Sequence, residues 1–393
     1  MLLWTGNAAS FVGFHNVRIA YPLLVLTVAD SAPMAGWVGF SMVLPSLLFP
    51  IPAGVVADRW NRRRTLLTCQ LVGLAATGLA AAIVLATPPR IGVLLCITAF
   101  LEGSAYAFFG VCELAAVRDV VTARQRAAAF AFLEAEQPIA ILIGRASGAA
   151  GYGLARWFPF AANAVSYLFC LATLSTMRGE FAARRPTEPG PDTGGSTRIW
   201  AGVRVAWSEP FLRFTTAVTG VSNLIIQVVI LAMLVDLTGA GRPAWTAGMV
   251  LGAAGVGGLL GSAASPWLST RVGAVAVYRG ALCVWSALLL PIAVSTDPSV
   301  LALCWCGVGA VGVTSNVALA VFAVDVLPPE TLGRAIGAIS LVTQGGGALG
   351  TLAAGYLLAS LGPAATSKLA FAAMLTLAAA GFAASRSVRA APV

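Results

Sequence analysis

GVVADRWNRRR, residues 54–64, places four arginines and one aspartate in a short stretch of a chain that is only 10% charged. The rest of the 393-residue sequence avoids charge: 59% of the residues are hydrophobic, and the mean hydropathy is +0.88. Soluble domains average about 25% charged residues, so this composition indicates a membrane protein. The charged stretch therefore marks a break between apolar runs, and those runs decide the fold.

Twelve long apolar runs follow one another along the chain, and Pro, Gly or charged residues mark most of the breaks. A membrane-spanning helix needs about 20 apolar residues, whereas a spanning strand is shorter and alternates in polarity. The runs therefore predict an all-α polytopic membrane protein with twelve transmembrane helices. Their approximate limits are 2–28, 34–57, 65–87, 91–117, 128–155, 158–177, 211–236, 244–268, 275–296, 299–325, 334–360 and 363–384.

The longest break divides the chain into two six-helix halves. It is polar and rich in Pro and Gly, which is typical of a linker, and its second part has the spacing of a short helix at the membrane surface. The halves repeat, because AAGY occurs at both 149–152 and 353–356. Two parallel repeats around a central cavity are a plan of transporters. The predicted domains are an N-terminal six-helix bundle over 1–177, a cytoplasmic linker over 178–210, and a C-terminal six-helix bundle with a short cytoplasmic tail over 211–393.

The basic residues of the breaks are divided unequally between the two sides of the membrane. Eighteen arginines lie on one side, and four basic residues lie on the other, namely Arg90, Arg156, Arg242 and Lys368. The positive-inside rule therefore predicts that both termini are cytoplasmic. The net charge of +9 follows from this pattern, so we do not expect a nucleic-acid partner. The N-terminus lacks a basic segment and a small-residue cleavage site, which predicts a first span rather than a signal peptide.

The charged stretch resembles the signature loop between helices 2 and 3 of the major facilitator superfamily, with Gly54-x3-Asp58-Arg59-x2-Arg62-Arg63. LPPETLGRAIG (327–337) adds to that likeness, which covers essentially the whole chain. LLWTGNAASFVG (2–13) and IGRASGAAG (143–151) look like the branch of exporters related to enterobactin and macrolide efflux proteins.

The sequence departs from the family pattern at three places. Asn61 stands where the superfamily usually has Gly, and Arg145 stands where its drug exporters usually have Pro. In the second half, Ser269 and Thr270 replace the acid of the signature loop. The antiporter signature is therefore incomplete.

The resemblance implies a gating role for this loop, beside the simpler alternative of a topology anchor. Asp58 would contact the start of helix 11, where the helix dipole is positive. Arg59 and one of Arg62 or Arg63 would pair with Asp119 at the foot of the fourth helix. Such contacts would hold the halves together on the cytoplasmic side, and transport would rock one half against the other. The predicted gating motif is Gly54, Asp58, Arg59, Arg62, Arg63 and Asp119.

Three ionisable residues lie near one level of the membrane interior, where an ionisable group is costly and so a functional candidate. Counting at 1.5 Å per residue places Arg18, Glu102 and Arg145 at this level. We expect them to form a cluster, in which Glu102 binds a coupling proton or an arginine binds an anionic part of the cargo. The alternative is a structural ion cluster that tethers helices. Glu134 and Glu136 are candidates for a second proton site or for pairing with the adjacent basic loops.

The second half offers amide side chains instead of mid-membrane charges. In the family, helices 1, 4, 7 and 10 line the cavity, so the resemblance implies a set of lining residues. Packing between helices is the alternative role for each amide. The candidates for the proton or substrate cavity are Asn16, Arg18, Glu102, Arg145, Asn223, Gln227 and Asn316.

Catalytic signatures are absent from the sequence: it has no nucleophile elbow, metal-ligand cluster or Walker loop. We therefore expect no enzyme activity, cofactor or metal, and an ion gradient as the energy source. The leading hypothesis is a monomeric transporter in a bacterial cytoplasmic membrane that exports a small amphipathic molecule in exchange for protons. The cargo would be a siderophore, an antibiotic or another secondary metabolite. Uptake of a small organic solute and a polytopic membrane enzyme are the alternatives.

Overall fold

The structure, a computed structural model, describes residues 2–120, 126–176, 209–272, 274–327 and 329–387. The regular secondary structure of these ranges is entirely helical, which confirms the predicted all-α fold. The helices are α1 (Leu2–Val28), α2 (Ala32–Leu48), α3 (Pro50–Arg59), α4 (Arg62–Ala86), α5 (Ile91–Val120), α6 (Arg126–Leu154), α7 (Phe158–Thr176), α8 (Pro210–Gly239), α9 (Ala244–Val272), α10 (Ala274–Val294), α11 (Pro298–Val326) and α12 (Pro329–Ser387).

The run predicted over 34–57 forms two helices instead of one. α2 ends at Leu48 and α3 begins at Pro50, because proline has no N–H group to continue the helical hydrogen bonds. At the other end of α2, the Ser31 hydroxyl accepts a hydrogen bond from the Met34 backbone N–H at 3.3 Å. This N-cap fixes the start of the helix.

The last two predicted runs form two helices that meet at a kink within the range labelled α12. Its helical geometry is interrupted at Gly362, which has a φ of 77° and is followed by Pro363. Glycine adopts this left-handed conformation without steric cost, and the residue before a proline disfavours the helical region. The break lies within one residue of the predicted boundary between the runs.

Nine helices in the described ranges are long and apolar enough to cross a membrane. The last of these, Ala335–Phe382, contains both segments of α12 and is 48 residues long. The apolar helix α2 is shorter, at 17 residues. The chain is therefore a multi-pass membrane protein.

The chain divides into two compact units. Unit 1 comprises Met1–Glu188 and Leu237–Gly255, and unit 2 comprises Pro189–Asp236 and Val256–Val393. The first part of α9 thus belongs to unit 1. Residues 178–208 of the predicted linker lie outside the described residues, so the division at 178–210 stays a prediction.

In unit 1, α1 packs against α2, α6 and α7, while α5 packs against α2, α3 and α4. Close approach between α1 and α6 depends on two glycines of α6. A Cβ atom at Gly144 would lie 2.6 Å from both the Cβ atom of His15 and the carbonyl oxygen of Val12, and one at Gly148 would overlap the carbonyl of Asn16. Small residues at such a crossing bring the two backbones together.

In unit 2, α10 packs against α11 and α12. A separate buried cluster joins α8, the end of α11 and the start of α12, and its members are Leu212, Leu319, Ala323, Leu327, Ala335 and Ile339. Further along α8, close approach to α12 depends on Gly346, where a Cβ atom would overlap the carbonyl of Gly220.

Candidate functional site

Glu102 lies on α5, fully buried at 0% exposure inside unit 1. Asn163 on α7 donates from Nδ2 to both carboxylate oxygens, at 3.4 Å and 3.2 Å, and also to the Thr77 hydroxyl on α4 at 3.1 Å. The Tyr167 hydroxyl, one turn further along α7, donates to the same carboxylate at 3.3 Å. These hydrogen-bonding partners are all neutral. A carboxylate in such a place is stabilised by hydrogen bonds or by binding a proton.

Arg18 on α1 and Arg145 on α6 form a second site in unit 1. Both residues are half-buried, and their guanidinium groups are close enough to interact electrostatically. Arg145 also donates from Nη1 to the backbone carbonyl of Leu251, on the part of α9 that belongs to unit 1, at 3.2 Å. The small residues Gly144 and Gly148 next to Arg145 explain the proximity, because they let α6 approach α1.

A polar and aromatic wall borders the arginine pair. The Tyr106 ring on α5 stacks on Phe14 with a centroid distance of 3.9 Å, and its hydroxyl accepts a hydrogen bond from Gln137 Nε2 at 3.0 Å. Tyr106 interacts electrostatically with Arg18. His15 is only 3% exposed, and neither of its ring nitrogens has a partner with hydrogen-bond geometry, although Gln137 lies beside the ring.

The expected cluster of Arg18, Glu102 and Arg145 is therefore not formed in the described part of unit 1. Glu102 makes its hydrogen bonds with α4 and α7, whereas the arginines lie together on α1 and α6. Counting along a helix gives the depth of a residue in the membrane, but it does not give the direction of the side chain around the helix axis. The three residues accordingly separate into a carboxylate site and an arginine site.

A pair of carboxylates, Glu113 on α5 and Glu136 on α6, forms a third polar group in unit 1. The two side chains interact electrostatically, and Asn7 on α1 donates from Nδ2 to Glu113 Oε1. Glu136 Oε1 is buried without a hydrogen-bond partner. Sequence reasoning had assigned Glu136 to a second proton site or to basic loops, and had not paired it with Glu113. The side chain of Glu134 lies outside the described residues.

The amide candidates connect helices in this structure. In unit 2, Asn223 donates from Nδ2 to the backbone carbonyl of Thr343 at 3.0 Å, and Gln227 donates to the Thr351 hydroxyl at 3.2 Å, so both join α8 to α12. This geometry matches the helix-packing alternative. In unit 1, Asn16 donates weakly to Ser147 on α6, at 3.4 Å.

Asn316, the remaining candidate from the second half, is exposed on α11 of unit 2. Asn223 and Gln227, by contrast, are half-buried and hydrogen-bonded to α12.

In the signature loop, Asn61 caps α4 by accepting a hydrogen bond from the Arg64 backbone N–H at 3.2 Å. Asparagine is among the best N-cap residues, so the departure from the family pattern has a local structural benefit. Arg62 is buried and donates from Nε to the carbonyl of Ala57 at 3.2 Å.

Arg63 contacts the end of α7, a role that sequence reasoning missed. It donates from Nε to the carbonyl of Leu174 at 3.2 Å and from Nη2 to the carbonyl of Ser175 at 2.6 Å. The last carbonyls of a helix have no partner within the helix, and a cation there also opposes the negative dipole end. No local sequence signal relates Arg63 to residues more than one hundred positions away.

The remaining gating candidates are Gly54, Asp58, Arg59 and Asp119. Gly54 lies in α3 with open space where a Cβ would be, and Arg59 is exposed at the end of the same helix. The side chains of Asp58 and Asp119 lie outside the described residues. The proposed contacts of these two aspartates stay predictions.

The family of the chain is shown by sequence comparison. The profile of the Major Facilitator Superfamily matches residues 3–351 and, in a second match, residues 246–392. The chain belongs to the Major Facilitator Superfamily. A search of curated proteins finds no match.

Solved structures of several transporters share the fold of this chain at low sequence identity. A mutant form of the nucleoside transporter NupG has a TM-score of 0.79 at 15% identity, over 98% of this chain and 100% of that one. An auto-inhibited POT family peptide transporter has a TM-score of 0.75 at 13% identity, over 100% and 97%. A bacterial homologue of the iron transporter ferroportin, in the inward-facing state, has a TM-score of 0.69 at 14% identity, over 96% and 98%. Membership of the superfamily identifies the chain as a membrane transporter, whereas these neighbours show the fold alone and leave the substrate open.

Proposed function

We propose that this superfamily member is a proton-coupled secondary transporter that exports a small amphipathic molecule by alternating access. The cargo is a siderophore, an antibiotic or another secondary metabolite. The observation that supports proton coupling is Glu102, a fully buried carboxylate whose hydrogen-bonding partners are Asn163 and Tyr167. The likeness of 2–13 and 143–151 to an exporter branch supports the direction of transport.

Proton binding at Glu102 would act directly on helix packing. The carboxylate joins α5 to α7 through its contacts with Asn163 and Tyr167, and a proton on it changes which atoms donate and accept. A change in these contacts biases two arrangements of the helices, which is how a small local event drives a larger motion. The predicted six-helix halves, 1–177 and 211–393, are the bodies that would rock.

The charge pattern supports an orientation of the transporter in its membrane. We propose that it is a monomer in a bacterial cytoplasmic membrane; the eighteen arginines on one side of the predicted topology support cytoplasmic termini. Protons entering the cell would then drive cargo outwards.

The test compares accumulation of a panel of siderophores, antibiotics and dyes in cells with and without the gene. Expression should lower the accumulation of at least one class, and a protonophore should abolish the difference. Inside-out vesicles then decide direction and coupling, since an exported compound should enter them only when a proton gradient is present. Accumulation that rises on expression would show uptake, and efflux that persists with the protonophore would refute proton coupling.

A further inference from the structure

The arginine site of unit 1 holds like charges together without a described acidic partner. Arg18 and Arg145 interact with each other, and their other described contacts are with Tyr106 and the carbonyl of Leu251. Two cations at mid-membrane repel each other and are costly to bury unless an anion compensates them. Within the described residues, the carboxylate of Glu102 is hydrogen-bonded elsewhere.

The other buried acid of α5 is also engaged elsewhere. Glu113 accepts its hydrogen bond from Asn7 and interacts with Glu136. A structural ion cluster therefore does not account for the two arginines in this part of the chain. Both arginines are half-buried as whole residues, so part of each side chain remains exposed.

His15 gives an independent sign of a ligand site at the same place. It lies one turn before Arg18, is 3% exposed, and has two ring nitrogens without hydrogen-bond geometry to any partner. Buried polar groups are normally hydrogen-bonded, whereas this imidazole lies next to two cations and does not reach hydrogen-bond geometry with the neighbouring Gln137. Both arginines interact electrostatically with this ring, so an anion bound to them would lie beside it.

The wall next to the arginines is aromatic. Phe11, Phe14 and Arg18 lie on one face of α1, because they are three and four residues apart. The Tyr106 ring packs edge-on against Phe11 at 5.4 Å and stacks on Phe14. An apolar or aromatic body would find contact beside the charged groups.

We propose that Arg18 and Arg145 bind the anionic group of the cargo, with His15 beside it and with the apolar body of the cargo next to Tyr106. This inference rests on the proposed transport function and narrows its substrate class to amphipathic anions, such as aromatic carboxylates. Guanidinium groups suit this role because they stay charged and bind carboxylates through two parallel hydrogen bonds.

The test uses the purified full chain in detergent with salicylate and its uncharged amide, salicylamide, as a matched pair of probes. Binding is measured by the thermal unfolding midpoint and by quenching of tryptophan fluorescence. Salicylate should bind and salicylamide should bind at least about tenfold more weakly, because the charge-assisted hydrogen bonds are lost. Equal binding of both probes, or no binding of salicylate, would overturn the proposal without any mutation.

Variants then locate the site. Arg18→Gln and Arg145→Gln should each weaken salicylate binding about tenfold or more, while Arg18→Lys should keep part of the affinity. Arg156→Gln, which removes an exposed arginine at the turn after α6, is the matched control and should bind as the wild type does. Unchanged binding in both glutamine variants refutes the assignment. Arginine-dependent binding in a protein without proton-driven efflux would instead refute the transport function alone.

Discussion

Asn163 on α7 donates a hydrogen bond to Glu102 on α5, with 3.2 Å between Nδ2 and Oε2. The same amide group also contacts Thr77 on α4, so one side chain connects three helices of unit 1 at the buried carboxylate. Low surrounding polarity makes such hydrogen bonds strong and an unmade one expensive. Any change at the carboxylate should therefore affect how these helices pack, which is the basis of the first prediction.

Glu102→Gln should abolish net proton-driven transport but preserve exchange of cargo between the two sides of proteoliposomes. Glutamine keeps a hydrogen-bonding oxygen for Asn163 but cannot bind and release a proton. Counterflow needs no net proton movement, so the comparison separates coupling from cargo binding. Glu209→Gln, at the residue before α8, is the control acid and should behave as the wild type does in both assays. Proton-driven transport at the wild-type rate in Glu102→Gln would exclude Glu102 as the coupling group.

Arg63→Gln should lower stability more than it lowers the rate of transport per folded molecule. The substitution removes the two hydrogen bonds to the carbonyls of Leu174 and Ser175, which should cost about 1 kcal/mol at this partly exposed site. Thermal unfolding of the purified protein measures the effect. Arg64→Gln is the matched control, because Arg64 is exposed and its described hydrogen bonds are made by its backbone atoms. Equal midpoints for the two variants would contradict the capping role.

Gly144→Ala should both destabilise the protein and weaken the arginine site. The added methyl group would lie 2.6 Å from atoms of α1, so α6 has to move away, and overpacking of this kind costs about 1–3 kcal/mol. The separation would also disturb the pairing of Arg18 with Arg145. Unfolding midpoint and salicylate affinity are the two measurements.

Gly78→Ala is the control for this substitution. A Cβ at Gly78 on α4 meets nothing within 4 Å, and alanine favours a helix over glycine by about 1 kcal/mol. This variant should be as stable as the wild type or more so, with unchanged affinity for salicylate. If Gly144→Ala behaves in the same way, close approach of α1 and α6 is not required.

Asp58→Asn should reduce transport strongly while the amount of protein in the membrane stays normal. The substitution removes the negative charge that the family resemblance assigns to a gating contact, but it changes the size of the side chain very little. Asp30→Asn is a suitable control, since Asp30 is exposed with a φ of 44°, a conformation that asparagine tolerates. If Asp58→Asn transports at the rate of the control variant, the loop acts only as a topology anchor.

The sequence pattern missed one helix boundary and predicted another. The pattern of apolar residues alone did not separate α2 from α3, because the break at Phe49 occurs inside apolar sequence and is caused by Pro50. The kink at Gly362, by contrast, falls in the gap that the hydropathy pattern predicts between the last two runs. In both cases the local backbone geometry decided the boundary.

The sequence by itself determined the membrane class and the approximate limits of the apolar runs, because hydrocarbon admits few charges. The common depth of Arg18, Glu102 and Arg145 stays a prediction from the constant rise of each helical residue. Only the tertiary structure decided which side chains meet. It paired the two arginines across Gly144, placed Glu102 against Asn163, and gave Arg63 to the end of α7. The physical reason is that two side chains meet only when their helices have a suitable rotation and spacing. Residues that are distant along the chain determine this rotation and spacing jointly.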